Sequence, residues 1–247
     1  MPLDGGAGAR YSQGDALMCN PAQCSRPVWR HPVLLYYITD RKQFGGSVAD
    51  QVQKLLEKIH ECAVAGVDYI QLREKDLTAR ELEQLAAKAM AAIPGGSVTR
   101  LLINSRIDVA LACAADGVHL PANSLSPSDA RAIFARAGKS NTVIGISTHS
   151  AAEVASAEAH GADFAVFGPV FEKAGATNRH GLPQLAAVTR RSLPVLALGG
   201  ITLENATRCA EAGSAGIAAI RMFQQADAKT TVEALRRLWA TRRSAVS

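Results

Sequence analysis

Residues 100–120 read "RLLINSRIDVALACAADGVHL". An apolar run (100–104) reaches Asn104, Ser105 and Arg106. A stretch with helical spacing of apolar residues follows (106–115), and a second β-branched run, "GVHL", occupies 117–120. Strand, helix and strand packed into about twenty residues cannot be an antiparallel hairpin, and they read as one parallel βαβ unit.

The same alternation extends both ways. Strands are predicted at 33–39, 67–73, 100–104, 117–120, 142–147, 163–168, 194–200 and 216–220. Helices are predicted at 48–65, 78–92, 106–115, 126–137, 150–160, 182–191, 203–212 and 229–242. "AGVD", "AADGV", "HGAD" and "AGSAG" place glycine between a helix and the next strand, the sign of a left-handed helix cap. Near-continuous apolar strands followed by helices mean a parallel sheet covered by helices. Eight such units close a barrel, and about 215 residues suit a single α/β (β/α)₈ TIM barrel over 31–247. An open doubly wound sheet is disfavoured, because no G-x-G-x-x-G opens the first helix. Residues 1–30 show no helix or strand period and read as a poorly ordered N-terminal extension.

Of the 247 residues 48% are hydrophobic and 20% charged, enough to bury a large core, and the net charge is +5. No basic run with interleaved aromatics suggests nucleic acid, and no apolar run approaches a membrane span. The five cysteines form no C-x-x-C pair or Cys/His metal spacing, so a reducing cytoplasmic setting is expected. Self-association into a homo-oligomer stays open.

In such a barrel the chemistry sits at the carboxyl ends of the strands. Period-two alternation in "DYIQLREKD" sets Tyr69, Gln71, Arg73 and Lys75 on one side, with Ile70 and Leu72 facing the helices. Arg73 then meets an anionic ligand, pairs internally with Glu74 or Asp108, or stands solvated on the rim. Gly199-Gly200, with Thr202 able to cap the next helix, lets backbone N–H groups approach an anion after strand seven. Arg221 ends strand eight beside them and suits a phosphate contact. Ser147, Thr148 and His149 end strand five, where an imidazole can exchange protons near neutral pH or serve as a structural cap. His119, within a strand, reads as structural.

Taken together, "YYITDR", "QLREK", "LLINSRIDVAL", "GVHL", "IGISTHS", "FGPVF" and "ALGGITLENA" resemble the thiamine phosphate synthase/TenI family. The resemblance spans about Tyr36 to Phe223 and implies a (β/α)₈ barrel binding the thiazole phosphate of thiamine biosynthesis. Family synthases join a pyrimidine pyrophosphate to the thiazole phosphate with Mg²⁺. TenI-type members are metal-independent thiazole tautomerases. The resemblance implies substrate binding by Gln71, Arg73, Lys75, Asn104 and Ser147. It makes His149 the proton-transfer residue, and assigns the phosphate to Gly199, Gly200, Ile220 and Arg221.

The chain departs from the synthase pattern where that pattern carries metal. Synthases have Asn-Asp-Arg where Asn104-Ser105-Arg106 stands, and a Gly-Gln-Glu-Asp stretch where Pro121-Ala122-Asn123-Ser124 stands. Their Pro-Thr-x-Thr-Lys becomes Glu172-Lys173-Ala174-Gly175-Ala176, and a phosphate-contacting serine becomes Arg221. Magnesium prefers hard anionic oxygens, so the expectation is a tautomerase without cofactor. The alternatives are a thiamine phosphate synthase using Mg²⁺, which keeps support from Gln71, Arg73 and Lys75, and a non-catalytic phosphate-binding or regulatory barrel.

Overall fold

Eight parallel strands close on themselves in chain order, β1 to β8, with β8 pairing back to β1. The computed structural model describes residues 33–171 and 181–246, with side chains to residue 241. The proposed extension over 1–30, the 172–176 stretch, Lys173 and His180 lie outside those residues. Strands β1 (Leu34–Ile38), β2 (Tyr69–Leu72), β3 (Arg100–Asn104) and β4 (Gly117–Leu120) form one half of the barrel. Strands β5 (Val143–Thr148), β6 (Phe164–Phe167), β7 (Val195–Leu198) and β8 (Gly216–Ala219) form the other.

The helices are α1 (Val48–Ala65), α2 (Ala79–Ala92), α3 (Ile107–Ala112), α4 (Pro127–Arg136), α5 (Ala151–Ala159), α6 (Gly181–Val188) and α7 (Leu203–Glu211). After β8 come α8 (Arg221–Gln224) and α9 (Ala228–Val246). The four-residue α8 falls outside the predicted elements, being too short to show a period. None of the described helices is long and apolar enough to cross a membrane.

Strand alternation divides the apolar residues into two layers. Ile70, Leu72, Val118 and Leu120 join the large core between sheet and helices. Tyr36, Tyr69, Leu102, Phe164 and Val166 fill the barrel itself. Tyr69 stacks on Phe164 with centroids 5.1 Å apart, while Tyr36 meets Phe164 edge-on at 5.3 Å. This aromatic plug fills the middle of the barrel.

Helix starts follow local chemistry. Ser47 and Thr78 form reciprocal capping boxes with Asp50 and Glu81, and Ser126 and Ser150 each accept a backbone N–H in the first turn of α4 and α5. Gly66, Gly161 and Gly213 take positive φ, as expected of helix-ending glycines. Gly117 corrects the reading of "AADGV". It belongs to β4, and the left-handed residue there is Ala114, at φ 54°. A Cβ on Gly117 would lie 1.9 Å from the Val143 carbonyl oxygen, so close strand approach explains that glycine.

Three aspartates tie the opposite end of the barrel together. Asp68, Asp116 and Asp163 accept the N–H groups of Leu35, Leu101 and Ile144 at 2.8, 2.8 and 2.7 Å. Arg236 and Arg131 pair with Asp68 and Asp163 at 2.9 and 3.0 Å. These carboxylates serve the fold at the amino-terminal face, far from the strand ends where chemistry is expected.

Candidate active site

The carboxyl ends of the strands surround an open mouth of about 1740 Å³. Every residue assigned to the site from sequence lines it: Gln71, Arg73, Lys75, Asn104, Ser147, His149, Gly199, Gly200, Ile220 and Arg221. Gln71 is buried at the base of the mouth and donates to the Tyr36 hydroxyl at 2.9 Å. Arg73 sits one residue past β2, half-buried, and Lys75 is exposed above it.

The internal ion pairs considered for Arg73 do not form, because both carboxylates are engaged elsewhere. Glu74 is buried and meets the Arg41 guanidinium at 2.9 Å and the Thr39 hydroxyl at 2.7 Å. Arg41 also grips Asp76 through two bonds of 2.7 Å, which holds the Asp76 carboxyl well below the usual carboxylate range. Asp108 binds Arg106 at 2.8 Å. Glu74 is thus turned toward Thr39 and Arg41 just past β1, while its neighbours Arg73 and Lys75 line the mouth.

On the β3 side, Asn104 Nδ2 donates to Ser105 Oγ at 3.0 Å. Ser105 holds φ 63°, an uncommon left-handed conformation for a residue with a side chain. Asn123, past β4, also lines the mouth. Three carboxylates line the mouth from separate elements: Asp40 just past β1, Glu153 in the first turn of α5 and Glu204 in the first turn of α7. Among the described residues no group of three His, Cys, Asp or Glu side chains could hold a metal ion.

His149 follows β5 directly. Its Nδ1 lies 2.7 Å from the Gly168 carbonyl oxygen, and its backbone N–H donates to Glu153 at 2.6 Å. A carbonyl only accepts, so Nδ1 carries a proton, and whenever the ring is neutral its lone pair falls on Nε2. Two strands along the barrel, past β7, stand Gly199 and Gly200, at φ 98° and 63°. A Cβ on Gly199 would lie 2.6 Å from the Pro169 Cβ, so glycine is needed for both conformation and room. Asn205 braces this turn, accepting from the Thr202 N–H and donating to the Gly200 carbonyl, both at 2.9 Å. Ile220 and Arg221 enter α8 on the same wall, with Arg221 exposed.

His119 adds to the sequence-based site. Its Nε2 lies 2.9 Å from Ser147 Oγ, at the base of the mouth. The alternation of β4 carried the signal: Gly117 and His119 face inward because Val118 and Leu120 face the helices.

The family model described as thiamine monophosphate synthase matches residues 35–223. A protein of Aquifex aeolicus named putative thiamine-phosphate synthase 2 is 42% identical, over 76% of this chain and 96% of its own. The thiamine-phosphate synthase of Syntrophomonas wolfei is 35% identical, over 83% of this chain and 95% of its own. The solved thiamine phosphate pyrophosphorylase of Pyrococcus furiosus superposes with a TM-score of 0.71 at 30% identity, covering 86% of this chain and 98% of that one.

Proposed function

The chain belongs to the thiamine monophosphate synthase family, and from that premise we propose that its mouth binds a phosphorylated carboxythiazole and moves a proton on it without a divalent cation. The observation that carries this reading is the pairing of an oriented His149 with neutral side chains where family synthases hold metal. Ser105 Oγ is already engaged by Asn104, and Asn123 and Ser124 bring no negative charge. Such donors do not fit magnesium, which is bound through hard anionic oxygens.

In this reading the phosphate rests on the Gly199–Gly200 turn and the Ile220–Arg221 backbone, with the Arg221 guanidinium nearby. Arg73 faces the carboxylate, and Gln71, Lys75, Asn104 and Ser147 line the remaining wall. His149 Nε2 takes the proton from a ring carbon, and the electron pair of that bond enters the ring system. The imidazolium keeps its Nδ1–H on the Gly168 carbonyl and returns the proton at the far end of the conjugated path. The ring becomes aromatic with no net gain or loss of atoms.

Replacing His149 by Ala should lower the rate of this isomerisation roughly 10²–10⁴-fold. Calorimetric affinity for the aromatic product should stay near wild type. An unchanged rate would remove His149 from the mechanism.

A second reading, bond formation between a pyrimidine pyrophosphate and the thiazole phosphate, has its own support. Gln71, Arg73 and Lys75 line one wall, and about 1740 Å³ leaves room for two small ligands. The names of the similar proteins also favour this reaction. Pyrophosphate release from the two substrates, dependent on Mg²⁺, is its test.

A further inference from the structure

His119 is 2% exposed and lies beneath the mouth within the aromatic plug, its ring centroid 5.6 Å from that of Tyr36 and 6.3 Å from that of Phe164. Register pairs it with Gly145 of β5. A Cβ at Gly145 would come within 2.9 Å of His119 Nδ1 and 2.5 Å of Phe164 Cζ, so the glycine makes room for both rings. The imidazole therefore lies along β5 and reaches Ser147 Oγ with Nε2 at 2.9 Å, while Nδ1 is buried with no hydrogen-bond partner.

A neutral imidazole has one N–H and one lone pair. Were the proton on Nδ1, a buried N–H would have no acceptor. With the proton on Nε2, the group left unpaired is a lone pair, and native interiors tolerate unsatisfied acceptors better than orphaned donors. Burial, reinforced by the nearby Arg73 charge, pushes the ring down to about 3 and keeps it neutral near pH 7.

We propose that His119 is a positioning residue: its Nε2–H donates to Ser147 Oγ and turns the Ser147 hydroxyl hydrogen into the mouth, where it and Arg73 form a donor pair for the substrate carboxylate. The carboxylate as the anion bound rests on the proton-transfer reading above. The direction of the Ser147 hydroxyl rests on the fold alone. Ser147 is half-buried on the lining of the mouth, so a donor held this way meets a ligand acceptor.

Two measurements test it separately. In ¹⁵N-labelled protein, long-range ¹H–¹⁵N correlation of the imidazoles, with His119 identified by its loss in His119→Gln, should show the Nε2-protonated tautomer unchanged from pH 5 to 8. A signal protonated at Nδ1, or an imidazolium titrating in that range, overturns the relay.

In calorimetry, wild type should bind the carboxythiazole phosphate more tightly than the same thiazole phosphate without its carboxylate. His119→Gln, whose side-chain amide can still donate to Ser147, should keep that preference. His119→Leu should reduce it about tenfold, the scale of one hydrogen-bond donor lost, with the carboxylate-free ligand little affected. Equal losses for both ligands would make His119 merely structural and overturn the proposal. No preference in wild type would overturn the carboxylate assignment and count against proton transfer, whichever tautomer the NMR finds.

Discussion

Two histidines stand within one strand's length of the mouth and do opposite things because of where their rings lie. His149 is exposed at the rim with Nδ1 held by a carbonyl, the placement that the proposed proton transfer requires. His119 is walled in by aromatic rings and pushed down to about 3. In the unfolded chain it titrates near ~6.5. Between those values the unfolded state binds the additional proton, so stability from this residue is complete above about pH 6.5 and falls as the pH drops toward 3. Urea unfolding of wild type and His119→Gln between pH 4.5 and 6.5 should show a difference that changes by up to about 1.4 kcal/mol per pH unit. Wild type should lose more on acidification, and a slope of the opposite sign would mean His119 is charged in the fold.

The segment after β2 works because Arg41, in the 3₁₀ turn after β1, clamps Glu74 and Asp76. Replacing Arg41 by Ala leaves Glu74 buried without its cation, and urea unfolding should show a loss of about 3–5 kcal/mol. Gly145→Ala forces a Cβ against the Phe164 and His119 rings and should cost about 1–3 kcal/mol in the same measurement. The order of the elements was legible because each helix repeats its apolar face and several end in glycine. Gly117 was misread because a missing side chain serves a turn and a close strand approach equally well; only the Val143 carbonyl decides between them. In sequence Glu74 reads as a possible partner of its neighbour Arg73, yet it is buried against Arg41, 33 positions earlier. The coupling of His119 to Ser147 spans 28 positions and depends on the room left by Gly145. Local pattern does not carry such contacts. The rim residues, by contrast, were readable from the strand ends alone.

Both faces of the barrel carry charges of either sign, the mouth including Asp40, Glu153 and Glu204. The aspartates before β2, β4 and β6 brace the amino-terminal end, while the carboxyl-terminal mouth gathers Arg73, Lys75, Arg221 and two glycines at positive φ. The proposed anionic ligand would meet those cations, and Ser105 and Asn123 on the same lining are neutral. The decisive measurement is a side-by-side assay of the purified protein with Mg²⁺ and with EDTA. One arm follows aromatisation of the carboxythiazole phosphate tautomer, and the other follows pyrophosphate release from pyrimidine pyrophosphate and thiazole phosphate. Proton transfer predicts aromatisation at the same rate in Mg²⁺ and EDTA, lowered roughly 10²–10⁴-fold in His149→Ala, with no pyrophosphate released. Magnesium-dependent release of pyrophosphate, with no acceleration of aromatisation, would contradict it.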